Sequence, residues 1–227
     1  MPVSHPHRTI FVHVPKTGGT SVEFVLGMHG GKTDIGVRPY FNQEIDREHL
    51  YGQDLQHMTA AALRDALKQA GVFERYFKFA IVRNPWDRLV SVCAWSNQKW
   101  ARGQELSDRE FDSSVRQLHA MHLAARAHGQ PLRIWPHFKS QIEFLLDGER
   151  RPLLDFVARY ESLQADWALI RRKIGIQADL PLRMRSHHRP YQSYYTPATR
   201  AMVAEIYAED IAAFDYRFEQ VPAAAQS

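Results

Sequence analysis

Three short apolar runs, each followed by a stretch with helical spacing, set the pattern of the chain. The runs cover residues 9–14, 76–82 and 153–159. Apolar runs of this length, bounded by polar and turn residues, are typical of strands buried on both faces. In the stretches that follow, apolar residues recur at three- and four-residue intervals, which is the spacing of one helix face. The alternation predicts a three-layer α/β fold, with a mostly parallel sheet and helices on both faces.

Capping residues predict where several helices begin and end. Ser107 and Glu110 form a capping box at the start of a helix running to about residue 127. Thr59 caps a helix that Gly71 closes, and Thr196 caps the last one. The predicted helices cover residues 22–28, 60–69, 85–99, 108–127, 163–174 (closed by Gly175) and 197–214.

Length and composition predict one globular domain over residues 1–221, with a disordered tail at 222–227. The chain has 227 residues, of which 44% are hydrophobic and 24% charged, an ordinary globular composition. Its net charge of +4 is compatible with an anionic ligand without requiring one. Cys93 is the only cysteine, so no intramolecular disulfide can form, which fits a reducing compartment. Cys93 lies in an apolar helical run, which favours a core position.

No apolar run has the length of a membrane span, and the N-terminus lacks the apolar core of a signal peptide. The first predicted strand begins only a few residues into the chain. We therefore expect a cytoplasmic protein without an integral membrane span, or a catalytic domain alone.

The junction between the first strand and the first helix carries the main candidate chemistry. Gly18 and Gly19 permit positive φ and let a ligand approach the backbone closely. Backbone N–H groups at the start of the next helix favour a negative charge. One ammonium group and three hydroxyl groups surround the glycines, on Lys16, Thr17, Thr20 and Ser21. This combination favours a phosphate or sulfate site over an ordinary glycine-rich turn.

The order of these residues differs from that of the nucleotide-triphosphate loop. In that loop the lysine follows the glycines, as Gly-Lys-Ser/Thr. Here Lys16 precedes both glycines. A kinase on a related P-loop fold is therefore an alternative, disfavoured by this order.

A second candidate anion site follows the second strand. Arg83 comes directly after the strand, and Pro85 suits the first turn of the next helix. Ser91 lies about two helical turns further on. A guanidinium group offers a planar fork of donors that fits a phosphate. A solvent-exposed arginine and a packing serine are the alternative interpretation.

Histidines supply candidates for proton transfer. His57 lies just before a predicted helix, at the expected end of a strand, and its neutral imidazole could accept a proton near pH 7. His119, His122 and His128 lie along one helix, but no convincing set of metal ligands accompanies them. We expect no metal site.

The segment from Pro15 to Ser21 resembles the 5′-phosphosulfate loop of the sulfotransferases, most closely in the branch that includes carbohydrate sulfotransferases. The resemblance implies a P-loop-like fold and 3′-phosphoadenosine 5′-phosphosulfate (PAPS) as donor, with adenosine 3′,5′-bisphosphate as product and no metal. It extends to Arg83-x-Pro-x-x-Arg-x-x-Ser91, to Tyr-Glu-x-Leu after the third strand and to the last helix.

The resemblance also implies residue roles. Lys16 and His57 would be catalytic, and His57 would act as general base. The residues implied to bind the donor are Lys16, Thr17, Gly18, Gly19, Thr20, Ser21, Arg83, Ser91, Tyr160, Ser186 and Arg189. In the family a loop before the last helix covers the 3′-phosphate, which implies Ser186 and Arg189, although this loop lacks the Arg-Lys-Gly pattern of the hormone and phenol sulfotransferases.

The acceptor is left open by the sequence. An acceptor hydroxyl (or amine) on a carbohydrate or a small metabolite fits the branch that the loop resembles. Aromatic residues at 135, 138 and 144, with Lys139, either line an acceptor pocket or pack in the core. The basic segment 183–191 alone would suggest a polyanion-binding module, but the modest net charge argues against a nucleic-acid partner. The sequence does not indicate an oligomeric state.

Overall fold

The computed structural model describes residues 2–28, 55–68, 71–97, 103–130, 134–181 and 188–219. The chain groups into two compact units. The first, which we call the sheet unit, comprises residues 1–82, 143–184 and 226–227; the second, the helical unit, comprises residues 83–142 and 185–225. The prediction of one domain over 1–221 stays a prediction, and the predicted tail lies outside the described residues.

One sheet of four strands organises the sheet unit. The strands are β1 (Val3–Ser4), β2 (Thr9–Val12), β3 (Phe77–Val82) and β4 (Phe156–Arg159), in the order β1-β2-β3-β4. The short β1 pairs antiparallel with β2, and was not predicted. β2, β3 and β4 pair in parallel, with Phe11 opposite Phe79 and Phe79 opposite Phe156. The mostly parallel α/β fold is therefore confirmed.

Both faces of the central strands are buried, which explains why these runs are continuously apolar. On one face, Phe11, Phe79 and Ile81 pack in a core cluster that also contains Trp167. On the other face, Ile10 and Ala80 are equally inaccessible to solvent.

Eight α-helices lie in the described ranges. They are α1 (Gly19–Val25), α2 (Ala60–Ala66), α3 (Val72–Arg75), α4 (Pro85–Ser96), α5 (Asp108–Ala127), α6 (Leu163–Ile174), α7 (Pro197–Ile206) and α8 (Ala208–Phe214). Short 3-10 helices cover Leu55–His57, Pro136–Phe138, Ile142–Phe144, Tyr160–Ser162 and Tyr191–Tyr194. None of the helices in these ranges is long and apolar enough to cross a membrane.

The predicted caps are confirmed at four helices. Ser107 and Glu110 form the complete capping box of α5, and the Thr196 hydroxyl accepts the N–H of Thr199 at the start of α7. Thr59 caps α2, and Gly175 ends α6 in the left-handed region (φ 72). The three N-terminal caps use side chains, and the N–H of Gly175 donates to the carbonyl of Arg171, so each cap satisfies a backbone group at a helix end.

Three predicted boundaries are wrong. α1 begins at Gly19, three residues before the predicted start, because Gly18 reverses the chain in the left-handed region and the helix follows directly. Gly71 lies at the start of α3 and does not close α2, which ends at Ala66. The last predicted helix is two helices, because the backbone of Tyr207 (φ −109, ψ 30) leaves helical geometry between α7 and α8.

Cys93 lies in the core, as predicted. It is completely buried on α4, and burial raises the pKa of its thiol to about 12. The thiolate needed for nucleophilic or redox chemistry is therefore disfavoured at neutral pH.

Candidate functional site

The loop between β2 and α1 contains two residues with left-handed backbone conformation, separated by one residue. Lys16 has φ 67 and Gly18 has φ 85, and α1 starts at the next residue. Left-handed backbone is strained for a residue with a side chain, so Lys16 is held in an unusual conformation by its surroundings. The loop places Lys16 on the chain segment that leaves the carboxyl end of β2.

Two of the three hydroxyl groups hold the loop in place. The buried Thr17 hydroxyl donates to the carbonyl of Val14 at 2.8 Å. The Ser21 hydroxyl donates to the carbonyl of Pro181 at 2.6 Å. Thr20 is half-buried in the first turn of α1. Thr17 and Ser21 therefore donate their protons to backbone carbonyls and stabilise the loop conformation.

Gly19 is required by close packing and not by its backbone angle. We expected both glycines to exploit positive φ, and only Gly18 does. A Cβ added at Gly19 would lie 2.4 Å from Nε2 and Cδ2 of His13 and 2.9 Å from Cε1 of Phe11. Both rings are buried. The His13 ring thus lies directly beneath the start of α1.

We expect Gly19→Ala to destabilise the protein by about 1–3 kcal/mol or more, the usual cost of forcing extra volume into a packed core. Urea unfolding would measure it. Gly148→Ala is the matched control, because an added Cβ there meets nothing within 4 Å and Gly148 lacks a positive φ. Equal stability of the two variants would contradict the packing argument.

Glu23 links the loop to the following segment through buried hydrogen bonds. Its Oε1 lies 2.8 Å from Nδ1 of His13, and its Oε2 accepts the side-chain N–H of Gln56 at 2.9 Å. Burial raises the pKa of Glu23, but the hydrogen bond and charge of His13 and the hydrogen bond of Gln56 outweigh burial and hold it below its ordinary value. Glu23 is therefore a carboxylate at neutral pH, and His13 Nδ1 donates to it.

His57 is oriented by the residue that leaves β2. It ends a 3-10 helix and does not follow a strand, which corrects the predicted position. Its Nδ1 lies 2.9 Å from the carbonyl oxygen of His13, and the two rings make an edge-to-face contact with centroids 4.7 Å apart. A carbonyl only accepts, so Nδ1 carries the proton. In the neutral imidazole Nε2 is then the basic nitrogen.

Tyr160 packs beside the loop. It begins the 3-10 helix that follows β4, and its ring carbons lie 3.2 Å from where a Cβ on Gly18 would be. A side chain at position 18 would be strained by the positive φ and would push the Tyr160 ring by a few tenths of an ångström. The structure thus brings Tyr160, His57 and the loop together in the sheet unit.

Arg83 belongs to the helical unit, together with its observed partners. It follows β3 in the chain, and its Nε donates to Oδ2 of Asp87 at 2.8 Å, both side chains being buried. Asp87 and Ser91 lie one turn apart on α4, so they share a face of the helix. Ser91 is buried as well. Asn84 starts α4 by accepting the N–H of Trp86.

Of the two donor residues predicted in the basic segment, Arg189 lies within the described residues. Arg189 is exposed and pairs with Glu105 at 2.6 Å and Asp108 at 2.5 Å, while its guanidinium stacks on the ring of Tyr194. Ser186 lies outside the described residues.

The aromatic residues considered for an acceptor pocket also separate. Phe144 is buried in the core, whereas Trp135 is exposed and makes tilted ring contacts with Trp95 and His137. Within the described ranges no cluster of three metal-ligating side chains occurs, and His119 pairs with Glu205 at 2.8 Å.

Sequence patterns did not indicate the supporting residues His13, Glu23 and Gln56. His13 is part of the motif around the loop, yet nothing in the spacing gave it a partner. Glu23 lies one helical turn after Gly19, and that position on α1 faces His13 only once the chain has folded.

Comparisons with known proteins agree with this geometry. The sequence model of the Sulfotransferase family matches residues 1–217 of this chain. A protein of Archaeoglobus fulgidus of uncharacterised function is 27% identical over 113 residues, which cover 50% of this chain and 79% of that protein. No solved structure matches the chain.

A glycine loop that carries a lysine lies between a parallel strand and a helix, and a histidine oriented by a backbone carbonyl lies beside it. The match over residues 1–217 gives the family. The chain belongs to the sulfotransferase family, and it is a transferase that moves sulfuryl groups.

Proposed function

We propose that this sulfotransferase moves a sulfuryl group from PAPS to an acceptor hydroxyl (or amine) on a carbohydrate or a small metabolite. The observation that carries the proposal is that Lys16 and His57 are both tied to the segment that begins at His13. Lys16 lies three residues after His13, and the His13 carbonyl fixes the tautomer of His57. A cation and a base held on one short segment are what transfer to a hydroxyl group requires.

Each donor residue implied by the resemblance has a role in this proposal. The backbone of residues 16–21 and the side chains of Lys16 and Thr20 bind the 5′-phosphosulfate, and Tyr160 contacts the adenine. Arg83 and Ser91 bind the 3′-phosphate, and Asp87 orients the guanidinium of Arg83. Arg189 and Ser186 are further ligands of the 3′-phosphate. Nε and Nη2 of Arg189 already pair with Glu105 and Asp108, so we assign the main role to Arg83.

The transfer step needs one proton acceptor and one cation. His57 Nε2 accepts the proton of the acceptor hydroxyl while its oxygen bonds to sulfur. The bond between sulfur and the bridging oxygen breaks, and adenosine 3′,5′-bisphosphate leaves with that oxygen. Lys16 balances the charge that develops there. Protein cations supply the positive charge in this scheme, so we expect donor binding to be independent of metal ions.

Calorimetric titration with adenosine 3′,5′-bisphosphate, ADP and AMP tests the proposal. We expect binding without Mg²⁺ that depends on the 3′-phosphate. Arg83→Ala should weaken the bisphosphate about tenfold or more, the usual effect of losing a hydrogen bond to a charged group.

Arg116→Ala is the matched control for this titration. It breaks an Arg–Asp pair of the same spacing on the exposed face of α5, and should leave affinity unchanged. Preference of the wild-type protein for ADP with Mg²⁺ would support a kinase instead. Salt-dependent binding of heparin or DNA without nucleotide binding would support a polyanion-binding module. A cytoplasmic location also remains a prediction, based on the single cysteine.

A further inference from the structure

The side-chain amide of Gln141 forms hydrogen bonds with both backbone groups of Arg83. Oε1 of Gln141 accepts the N–H of Arg83 at 2.9 Å, and Nε2 of Gln141 donates to the carbonyl of Arg83 at 2.8 Å. Gln141 is completely buried. The backbone N–H can only donate and the carbonyl can only accept, so the two contacts fix which end of the amide is oxygen. Gln141 thus pairs with Arg83 as a neighbouring strand would.

A buried carboxylate holds Gln141 in turn. Asp210, on α8, has no solvent exposure. It accepts hydrogen bonds from the Ser140 hydroxyl at 2.5 Å, from the Gln141 N–H at 2.8 Å and from the Ile142 N–H at 2.9 Å. These three donors, together with the longer contact from Nε2 of Gln141 to Oδ2 of Asp210 at 3.4 Å, offset the desolvation of the carboxylate and fix the backbone of residues 140–142.

Arg83 is therefore fixed at both ends. Gln141 fixes its backbone, and Asp87 fixes its guanidinium through Nε at 2.8 Å. We propose that Gln141, held by Asp210, is a positioning residue that sets the preference of this enzyme for a nucleotide bearing a 3′-phosphate. This inference rests on the proposed function, in which Arg83 binds that phosphate.

The physical reason is preorganisation. A guanidinium group contributes most to binding free energy when its N–H donors already point at the ligand, because the side chain then loses little conformational entropy on binding. Without the side-chain amide of Gln141, the N–H and carbonyl of Arg83 would lose these two hydrogen bonds. The backbone of Arg83 would then shift toward other hydrogen-bond partners. Contacts to the 3′-phosphate would weaken, whereas contacts of the loop after β2 to the 5′-phosphate would not.

The decisive quantity is the ratio of two dissociation constants, for AMP and for adenosine 3′,5′-bisphosphate. We expect Gln141→Leu to lower this ratio about tenfold, almost wholly through weaker bisphosphate binding. Ser140→Ala, which removes one of the three donors to Asp210, is a milder variant for the case that Gln141→Leu does not fold. It should lower the ratio about twofold to threefold.

Tyr207→Phe is the matched control. Its hydroxyl donates to the carbonyl of Phe138 at 2.8 Å, so the change removes a partly buried hydrogen bond near residues 140–142 and leaves the hydrogen bonds between Gln141 and Arg83 in place. It should lower stability and leave the ratio unchanged.

The outcomes separate this inference from the proposed function. If the wild-type protein does not prefer the bisphosphate over AMP, the proposed donor is wrong, and the role of Gln141 falls with it. If the wild-type preference exists but the folded Gln141→Leu and Ser140→Ala variants keep it, the positioning role alone is wrong. Equal weakening of both nucleotides would make Gln141 a purely structural residue and would also overturn the inference.

Discussion

Replacement of Lys16 by alanine should lower turnover about 10²–10³-fold, the usual cost of removing one group that stabilises developing charge. The affinity for adenosine 3′,5′-bisphosphate should fall much less. In the proposed reaction the charge on the bridging oxygen develops only in the transition state, so the ammonium group contributes more there than to donor binding. Steady-state kinetics and calorimetric titration of the same preparation would measure both effects.

The backbone conformation of Lys16 and a second variant help to separate the effect of the charge from other effects. Its backbone is left-handed (φ 67), and alanine at the same φ is strained in a similar way, so the variant isolates the charge from the backbone conformation. Lys16→Arg keeps a positive charge and should recover part of the turnover. Near-normal turnover of Lys16→Ala, or equal losses of turnover and affinity, would contradict the assigned role.

Replacement of His57 by alanine should lower turnover about 10²–10⁴-fold, the contribution of a well-placed general base. Binding of adenosine 3′,5′-bisphosphate should stay near that of the wild-type protein, because in the proposal His57 contacts the acceptor. Added imidazole should restore part of the activity by supplying the missing base. Turnover assays with and without imidazole would measure this.

The control for His57 is His128→Ala, which removes an exposed histidine that follows α5. It should leave turnover unchanged. The wild-type rate should also decline at acidic pH, where a protonated imidazole can no longer accept a proton, and His57→Ala should lose that decline. An active His57→Ala variant with the wild-type pH profile would place the base elsewhere.

The buried carboxylates show why the predictive power of the sequence is uneven. Glu23 and Asp210 are charged residues on helices, and by composition alone they would be assigned to the surface. Both are buried with several donors around them, from His13 and Gln56 in one case and from residues 140–142 in the other. No local pattern encodes these contacts, since the partners come from distant parts of the chain.

The sequence by itself determined the features that depend on neighbouring residues. Apolar runs specify buried strands and capping residues specify helix ends, and a lysine beside paired glycines at a strand–helix junction predicts an anion site. These signals work because their partners lie within a few residues.

Only the tertiary structure decided what the individual site residues do. In the folded chain, the absence of a side chain at Gly19 leaves room for the His13 ring. A carbonyl 44 positions earlier in the chain fixes the tautomer of His57. Hydrogen bonds from Gln141 hold the backbone of Arg83. The physical reason is that orientation and close packing depend on contacts that form only in the folded chain, between residues that are mostly far apart in sequence and, for His13 and Gly19, on different elements.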